Sequence, residues 1–307
     1  MQMIERFKMP HVFGAILVIL AALLWSFDGV LRQSLYVLPP TIIIFYEALF
    51  GAVIISPFFI PHKQGGRVFT IRDWLIMSAI ALFSGTLGTL AYTAALVKIN
   101  FIPFSVVVLL QQTQPLFAVL FAVILLKERL TSYFIKYALL AVIAVYFVSF
   151  PNLQVNLESG SGTIIAATLG LVAAFFWGSS TALSKHILKK VSFVYATAMR
   201  FFFTVPIALA LVFATGSSGV LAQVSVMQVL MLLAITLSTG LVALTLYYKG
   251  LQKIPARRST IYELTWPLSA IVLDFVIRGT ILSPTQIIGA VVLIFSMLKI
   301  TRYSTRS

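Results

Sequence analysis

The sequence predicts an all-α membrane protein with ten transmembrane helices, arranged as two inverted-topology repeats of five helices each. The composition, ten long apolar runs and a similarity between the two halves of the chain support this prediction. Of the 307 residues, 60% are hydrophobic and only 10% are charged. A water-soluble domain carries roughly 25% charged residues. A chain this poor in charge is therefore expected to expose its surface to lipid.

Ten apolar runs are long enough to serve as membrane helices, because a helix needs roughly 20 mostly apolar residues to cross the hydrocarbon core. Polar and apolar residues do not alternate in these runs, which argues against the strands of a membrane barrel. The first run lacks a small-residue cleavage site after it, so it is interpreted as a span and not as a signal peptide. The predicted spans cover residues 12–32, 40–60, 74–97, 103–126, 133–150, 163–184, 192–214, 228–248, 256–277 and 283–300.

The basic residues predict the orientation of these spans. With the N-terminus in the cytoplasm, 18 of the 22 Lys and Arg fall at cytoplasmic ends and only Arg32, Lys98 and Arg278 at the opposite side. This asymmetry is typical of a multi-pass protein of the cytoplasmic membrane with both termini inside. It also accounts for the net charge of +14 without a nucleic-acid partner.

The two halves of the chain resemble each other at an offset of about 152 residues. The segment QQTQP, from Gln111 to Pro115, matches ELTWP, from Glu263 to Pro267, and Trp25 matches Trp177. We therefore expect a first repeat over 1–151, a linker over 152–162 and a second repeat over 163–307. An odd number of spans per repeat places the copies in opposite orientations, with a substrate site near the membrane midplane between them.

With these motifs, the chain resembles the ten-helix EamA-domain group of the drug/metabolite transporter superfamily. The resemblance covers nearly the whole chain. It rests on the paired tryptophans and on motifs in spans 3, 4 and 8, namely Gly85 to Leu96, Gln114-Pro115, Leu125 to Thr131, and Gly240 to Leu251. It implies secondary transport of small metabolites, often export, by alternating access. Helix 2 of the family often carries Arg where this chain has Glu47, and Thr280 replaces the acidic residue of the second loop motif.

Charged residues inside the predicted spans are candidates for the substrate or coupling site, because a charge in the bilayer usually faces a cavity or a partner. Asp28 shares a helix face with Trp25 and Arg32, so it either lines a cavity or pairs locally with Arg32. Glu47 either faces the cavity, where it could bind a cation or a coupling proton, or pairs with Arg200.

Glu263 is the strongest candidate, since it precedes Pro267 by four residues and a proline interrupts the backbone bonding of a membrane helix. Gln111 and Gln114 occupy the equivalent helix before Pro115. They would complete a polar centre, or else bond between helices. The aromatic candidates for a cavity wall are Trp25, Trp177, Tyr92, Tyr247 and Trp266, with plain packing as the alternative reading.

These residues predict a monomeric secondary transporter, and in particular an exporter, of small organic metabolites such as amino acids, with protons as a possible coupling ion. Three carboxylates within the spans against one arginine favour a second reading, transport of cationic amines or quaternary ammonium compounds. A membrane enzyme acting on lipid-linked substrates is disfavoured, because the sequence carries no metalloprotease, nucleophile-elbow or Walker motif. Neither a cofactor nor a metal is expected.

Overall fold

The computed structural model describes residues 2–58, 69–98, 102–117, 132–153, 162–254, 259 and 262–303. These residues form helices and connecting turns, and none of them lies in a β-strand. We number the helices in chain order. The third and eighth helices each contain a π-helical section, which is counted as part of the helix. They are α1 Gln2–Arg32, α2 Pro40–Ile55, α3 Ile71–Leu96, α4 Phe104–Gln111, α5 Ser132–Ser149, α6 Gly162–Leu188, α7 Phe193–Ala214, α8 Val226–Lys253, α9 Thr265–Arg278 and α10 Pro284–Tyr303.

Six of the described helices are long and apolar enough to cross a membrane, namely α1, α2, α3, α6, α7 and α8. Shorter apolar segments lie within α5 and α10. Large apolar side chains point away from the protein, among them Val272, which is 60% exposed, and Ile288, which is 56% exposed. An outer surface of this kind is stable against lipid and not against water. The predicted all-α membrane class is therefore confirmed, while parts of predicted spans 4 and 9 and most of the linker lie outside the described residues.

Side-chain caps fix where several helices begin. Thr70 and Asp73 form a reciprocal capping box at the start of α3, and Ser225 and Gln228 form another at the start of α8. Each box satisfies two backbone N–H groups that the first helical turn leaves without partners. At the other end of a helix, Gly279 closes α9 with φ of 65°, which glycine adopts without steric cost.

Both α3 and α8 contain a π-helical section near their middle, over Ala81–Leu87 and Thr236–Val242. In α3, Thr89 Oγ1 donates to the backbone carbonyl of Ser84 at 3.0 Å. A π turn disturbs the regular i to i−4 bonding, and such turns are frequent at functional sites. Carbonyl groups in these two turns are therefore available to side chains of other helices.

The most extensive helix contacts join α1 to α8, α2 to α7, α3 to α6 and α5 to α10. The approach of α1 to α8 is close because glycines meet there: a Cβ on Gly250 would lie 2.8 Å from the carbonyl oxygen of Gly14. Small residues permit this backbone contact, which is the usual way for membrane helices to associate. The pairing places the inner faces of α1, α2, α3, α6, α7 and α8 around a common centre.

Candidate functional site

An internal cavity lies at this centre and offers about 140 Å³ to the centres of water-sized molecules. Ten of the eleven predicted site residues line it, and Gln111 is the exception. The ten are Trp25, Asp28, Glu47, Tyr92, Gln114, Trp177, Arg200, Tyr247, Glu263 and Trp266. They come from sequence positions up to 241 residues apart, so the fold gathers the polar and aromatic residues of the spans into one place.

A buried ion cluster forms one side of the cavity. The Arg32 guanidinium donates to the carboxylate of Asp28 and to both carboxylate oxygens of Glu47, at 3.0 and 2.8 Å. Thr239 Oγ1 also donates to Asp28, at 2.5 Å. Buried charges are tolerated when each is paired and hydrogen-bonded. Asp28 therefore pairs locally with Arg32 and lines the cavity as well, so both readings of Asp28 apply at once.

The partner of Glu47 is Arg32, whereas the alternative reading of the sequence paired Glu47 with Arg200. Arg200 donates instead to the backbone carbonyl of Ser84, at 3.2 Å. Arg32, which the positive-inside pattern places at the external end of the first span, has a side chain that is only 3% exposed. Arg32 lines the cavity and is therefore part of the site. The guanidinium groups of Arg32 and Arg200 and the carboxyl groups of Asp28, Glu47 and Glu263 all line the cavity.

Two tryptophans bind the π turns of distant helices. Trp25 Nε1 of α1 donates to the carbonyl of Thr239 in α8 at 3.0 Å. Trp177 Nε1 of α6 donates to the carbonyl of Ser84 in α3 at 3.1 Å. Buried indole N–H groups normally find such a partner. The repeat-related tryptophans thus make equivalent bonds, and both join α1–α5 to α6–α10.

Five aromatic rings form a continuous cluster in the lining of the cavity. Trp266 lies at its centre, with ring centroids 5.6 Å from Trp25, 5.9 Å from Trp177 and 5.8 Å from Tyr92. Tyr247 extends the cluster, 5.2 Å from Trp25. All these distances lie within the range of favourable ring–ring contacts. Together the rings make an apolar wall on which a flat solute can stack.

The helix interruptions predicted from the prolines are present. Regular α-helix stops at Gln111, and helical geometry resumes at Gln114 just before Pro115. A turn at Leu264 likewise precedes α9 and Pro267. Gln114 and Glu263 line the cavity, and the Glu263 carboxylate accepts a bond from Ser259 Oγ at 2.6 Å.

Of the four glutamate and glutamine residues predicted for the site, Glu47, Glu263 and Gln114 line the cavity and Gln111 does not. Gln111 is fully buried behind the lining. Asp274 bonds Arg278, four residues later on α9, at 3.2 Å. It also accepts from the backbone N–H and the hydroxyl of Ser105, at 3.0 and 2.7 Å.

Sequence reasoning missed a set of hydroxyl groups that line the cavity. Ser180, Thr181 and Ser184 follow Trp177 on α6, and Thr204 lies on α7. The sequence does indicate these hydroxyls, because the three on α6 follow Trp177 by three, four and seven residues. Such spacings place them on the same face of the helix as Trp177. They add hydrogen-bonding capacity without charge beside the aromatic wall.

The chain matches a family of known proteins twice. The family model described as "EamA-like transporter family" matches residues 12–150 and 164–302 of this chain, and the second match begins 152 residues after the first. The riboflavin transporter ImpX of Fusobacterium nucleatum subsp. nucleatum is 36% identical over 95% of this chain and 98% of its own length. An uncharacterized transporter of Clostridium kluyveri is 24% identical over 95% of this chain and 93% of its own. A solved structure, titled only as the crystal structure of a protein, shares the fold with a TM-score of 0.59 and 15% identity over 96% of this chain.

Proposed function

Because this chain belongs to the EamA-like transporter family, we propose that it is a secondary transporter of a planar aromatic solute of the riboflavin class. The predicted family is confirmed, and family members and the named relatives are transporters. The coarse function, transport across a membrane, follows from that membership. The substrate, the direction and the energy source are parts of the proposal.

The observation that carries the substrate class is the aromatic wall of the cavity. A flat ring can stack on Trp25, Trp177 and Trp266, and stacking contacts contribute binding energy beyond the area that they bury. A relative that is 36% identical over nearly its full length is named a riboflavin transporter. The predicted amino-acid substrates remain a competing class, to be tested beside riboflavin.

The bonds of Arg32 weigh against cationic amines at Asp28 and Glu47, whereas Glu263, which bonds the neutral Ser259, keeps that class in the flux test. The carboxylates of Asp28 and Glu47 are already bonded to Arg32, and Arg200 faces the same cavity. A cationic solute would have to compete with Arg32 for these carboxylates. A neutral solute with polar edges needs no such exchange, because it can bond to the hydroxyls of α6 and to Gln114.

The proposed architecture is ten membrane spans in two inverted repeats, over 1–151 and 163–307, with both termini in the cytoplasm. The twofold match of the family model at an offset of 152 residues supports this arrangement. The equivalent bonds of Trp25 and Trp177 to π turns support it as well. The two halves would then rock about the central cavity and expose it to each side in turn.

Energy would come from a gradient, and a coupling proton would bind a cavity carboxylate. Glu263 is the proposed proton site, because it bonds the neutral Ser259 and lines the cavity. Export is the direction that the family resemblance implies. Monomeric function likewise stays a prediction.

The test is flux in liposomes that contain the purified full-length protein. Labelled riboflavin, an aromatic amino acid and a quaternary amine are offered with and without a pH gradient. We expect saturable riboflavin flux, and we expect Trp25→Ala to reduce it severely. Phe275→Ala is the matched control, because Phe275 is 56% exposed on the outer surface of α9.

Each outcome bears on a different part of the proposal. Flux of the amino acid or the amine without riboflavin flux would refute the substrate class. A wild-type protein that moves and binds none of the three would contradict the proposal as a whole. Riboflavin flux that is indifferent to the pH gradient, both in the wild type and in Glu263→Gln, would exclude Glu263 as a proton site.

A further inference from the structure

The central tryptophan of the aromatic wall differs from the two tryptophans beside it. Trp25 and Trp177 each donate their indole N–H to a backbone carbonyl. Trp266 is only 5% exposed, and its Nε1 has no hydrogen-bond partner among the described residues. An indole N–H can only donate. The centre of the wall therefore holds a donor without an acceptor.

A second lone group lies against the same ring. Tyr92 is 2% exposed, its ring centroid lies 5.8 Å from that of Trp266, and its hydroxyl also has no partner in the described part of the chain. Buried polar groups without partners are rare in proteins, and each is a free-energy penalty until a partner arrives. Two such groups on neighbouring rings that line one cavity indicate a shared missing partner.

The ring contacts of Trp266 agree with a missing acceptor. Trp266 packs against the rings of Trp25, Trp177 and Tyr92. The carbonyls of Thr239 and Ser84 in the π turns accept from Trp25 and Trp177. Within the part of the chain that the structure describes, no acceptor reaches Trp266 Nε1, so a molecule that enters the cavity is the candidate source.

Resting on the proposed function, we propose that Trp266 and Tyr92 select substrates whose aromatic ring carries hydrogen-bond acceptors at its edge. Trp266 Nε1 donates to a ring carbonyl or ring nitrogen, and the Tyr92 hydroxyl donates to a second acceptor. A flavin ring offers both kinds of acceptor in its plane. The side chains of phenylalanine and tryptophan stack equally well but offer no acceptor in the plane of the ring, so the site discriminates against them.

The test is a binding titration of full-length protein in lipid nanodiscs, read by isothermal titration calorimetry. Trp266→Phe keeps an aromatic ring and removes the N–H, and Tyr92→Phe removes only the hydroxyl. We expect each variant to weaken riboflavin binding by about tenfold, the effect of one good hydrogen bond. The same variants are titrated with 1-deazariboflavin, 5-deazariboflavin, 2-thioriboflavin and 4-thioriboflavin, which remove or weaken the ring acceptors N1, N5, O2 and O4 one at a time.

A specific bond has a signature that lost packing lacks. If Trp266 bonds one acceptor, Trp266→Phe weakens riboflavin binding tenfold. It weakens binding less than threefold for the one analogue in which that acceptor is removed or weakened. Unchanged riboflavin affinity in both variants would overturn the inference, and so would an equal loss for riboflavin and all analogues. A wild-type protein that binds no flavin at all would instead refute the proposed substrate. Tyr92→Phe gives an independent reading if Trp266→Phe fails to fold, as judged by its elution and melting profile.

Discussion

Replacing Arg32 by methionine tests the buried ion cluster most directly. Methionine keeps most of the side-chain length and removes the cation that bonds both Asp28 and Glu47. Removing one partner of a buried ion pair costs about 3–5 kcal/mol, because the remaining charge is left without compensation. At roughly 2–4 °C per kcal/mol, the lower figure predicts a melting temperature about 6–12 °C below that of the wild type.

The assay is thermal unfolding of the purified protein in a single detergent, followed by intrinsic tryptophan fluorescence. Arg278→Met is the matched control, since Arg278 also pairs with an aspartate four residues earlier, at 3.2 Å. Asp274 keeps two further donors from Ser105, so this control should lose only about 1 kcal/mol.

A neutralised variant separates lost charge compensation from lost packing. Asp28→Asn combined with Arg32→Met and Glu47→Gln removes all three charges together. Because buried ion pairs can be replaced by neutral groups with little cost, this triple variant should recover most of the lost stability. The reasoning would be refuted if Arg32→Met melted like the wild type, or if the triple variant were less stable than Arg32→Met.

Three further predictions concern other contacts. Trp25→Phe removes a bond to a π-turn carbonyl and should lower the unfolding free energy by about 1 kcal/mol; an unchanged melting temperature would contradict that role. Asp73 at the start of α3 bonds Lys190, just after α6, at 2.6 Å. A double-mutant cycle of Asp73→Asn and Lys190→Met should therefore show coupled changes in melting temperature. Additive changes would mean that the pair contributes nothing to stability. A Cβ on Gly178 would lie 2.5 Å from the carbonyl oxygen of Gln114. Gly178→Ala should therefore lower the unfolding free energy by about 1–3 kcal/mol through overpacking and reduce flux. A variant with wild-type melting temperature and flux would show that the backbone shifts to make room for the methyl group.

The sequence was informative about which residues belong to the site and less so about their partners. Composition and the repeated proline motifs predicted the membrane class and the break after Gln111, because these properties are local. The bond between Arg32 and Glu47 depends on how α1 packs against α2, which no local pattern encodes. Arg32 was left out of the predicted site residues for the same reason, because its bond to Glu47 on α2 could not be foreseen.

The π turns were also beyond sequence reasoning. The residues of Ala81–Leu87 are ordinary helix and span residues, and no proline marks the distortion. Trp177 and Arg200 both donate to the carbonyl of Ser84 in this turn, and such contacts between distant helices cannot be read from a local pattern. The lone donor of Trp266 was likewise invisible, because a missing partner can be recognised only when the surroundings are known.

The π turns also fix the rotational phase of the helix that follows them. Each extra residue turns everything after it by about 100° around the helix axis relative to an uninterrupted α-helix. Tyr92 and Tyr247 each lie five residues beyond the end of such a turn. Reverting one turn to α-helix by a single-residue deletion would therefore rotate its tyrosine away from the tryptophans, even though no residue of the aromatic wall had been changed. The wall is thus sensitive to chain length in α3 and α8, and insertions or deletions there are far more disruptive than most substitutions.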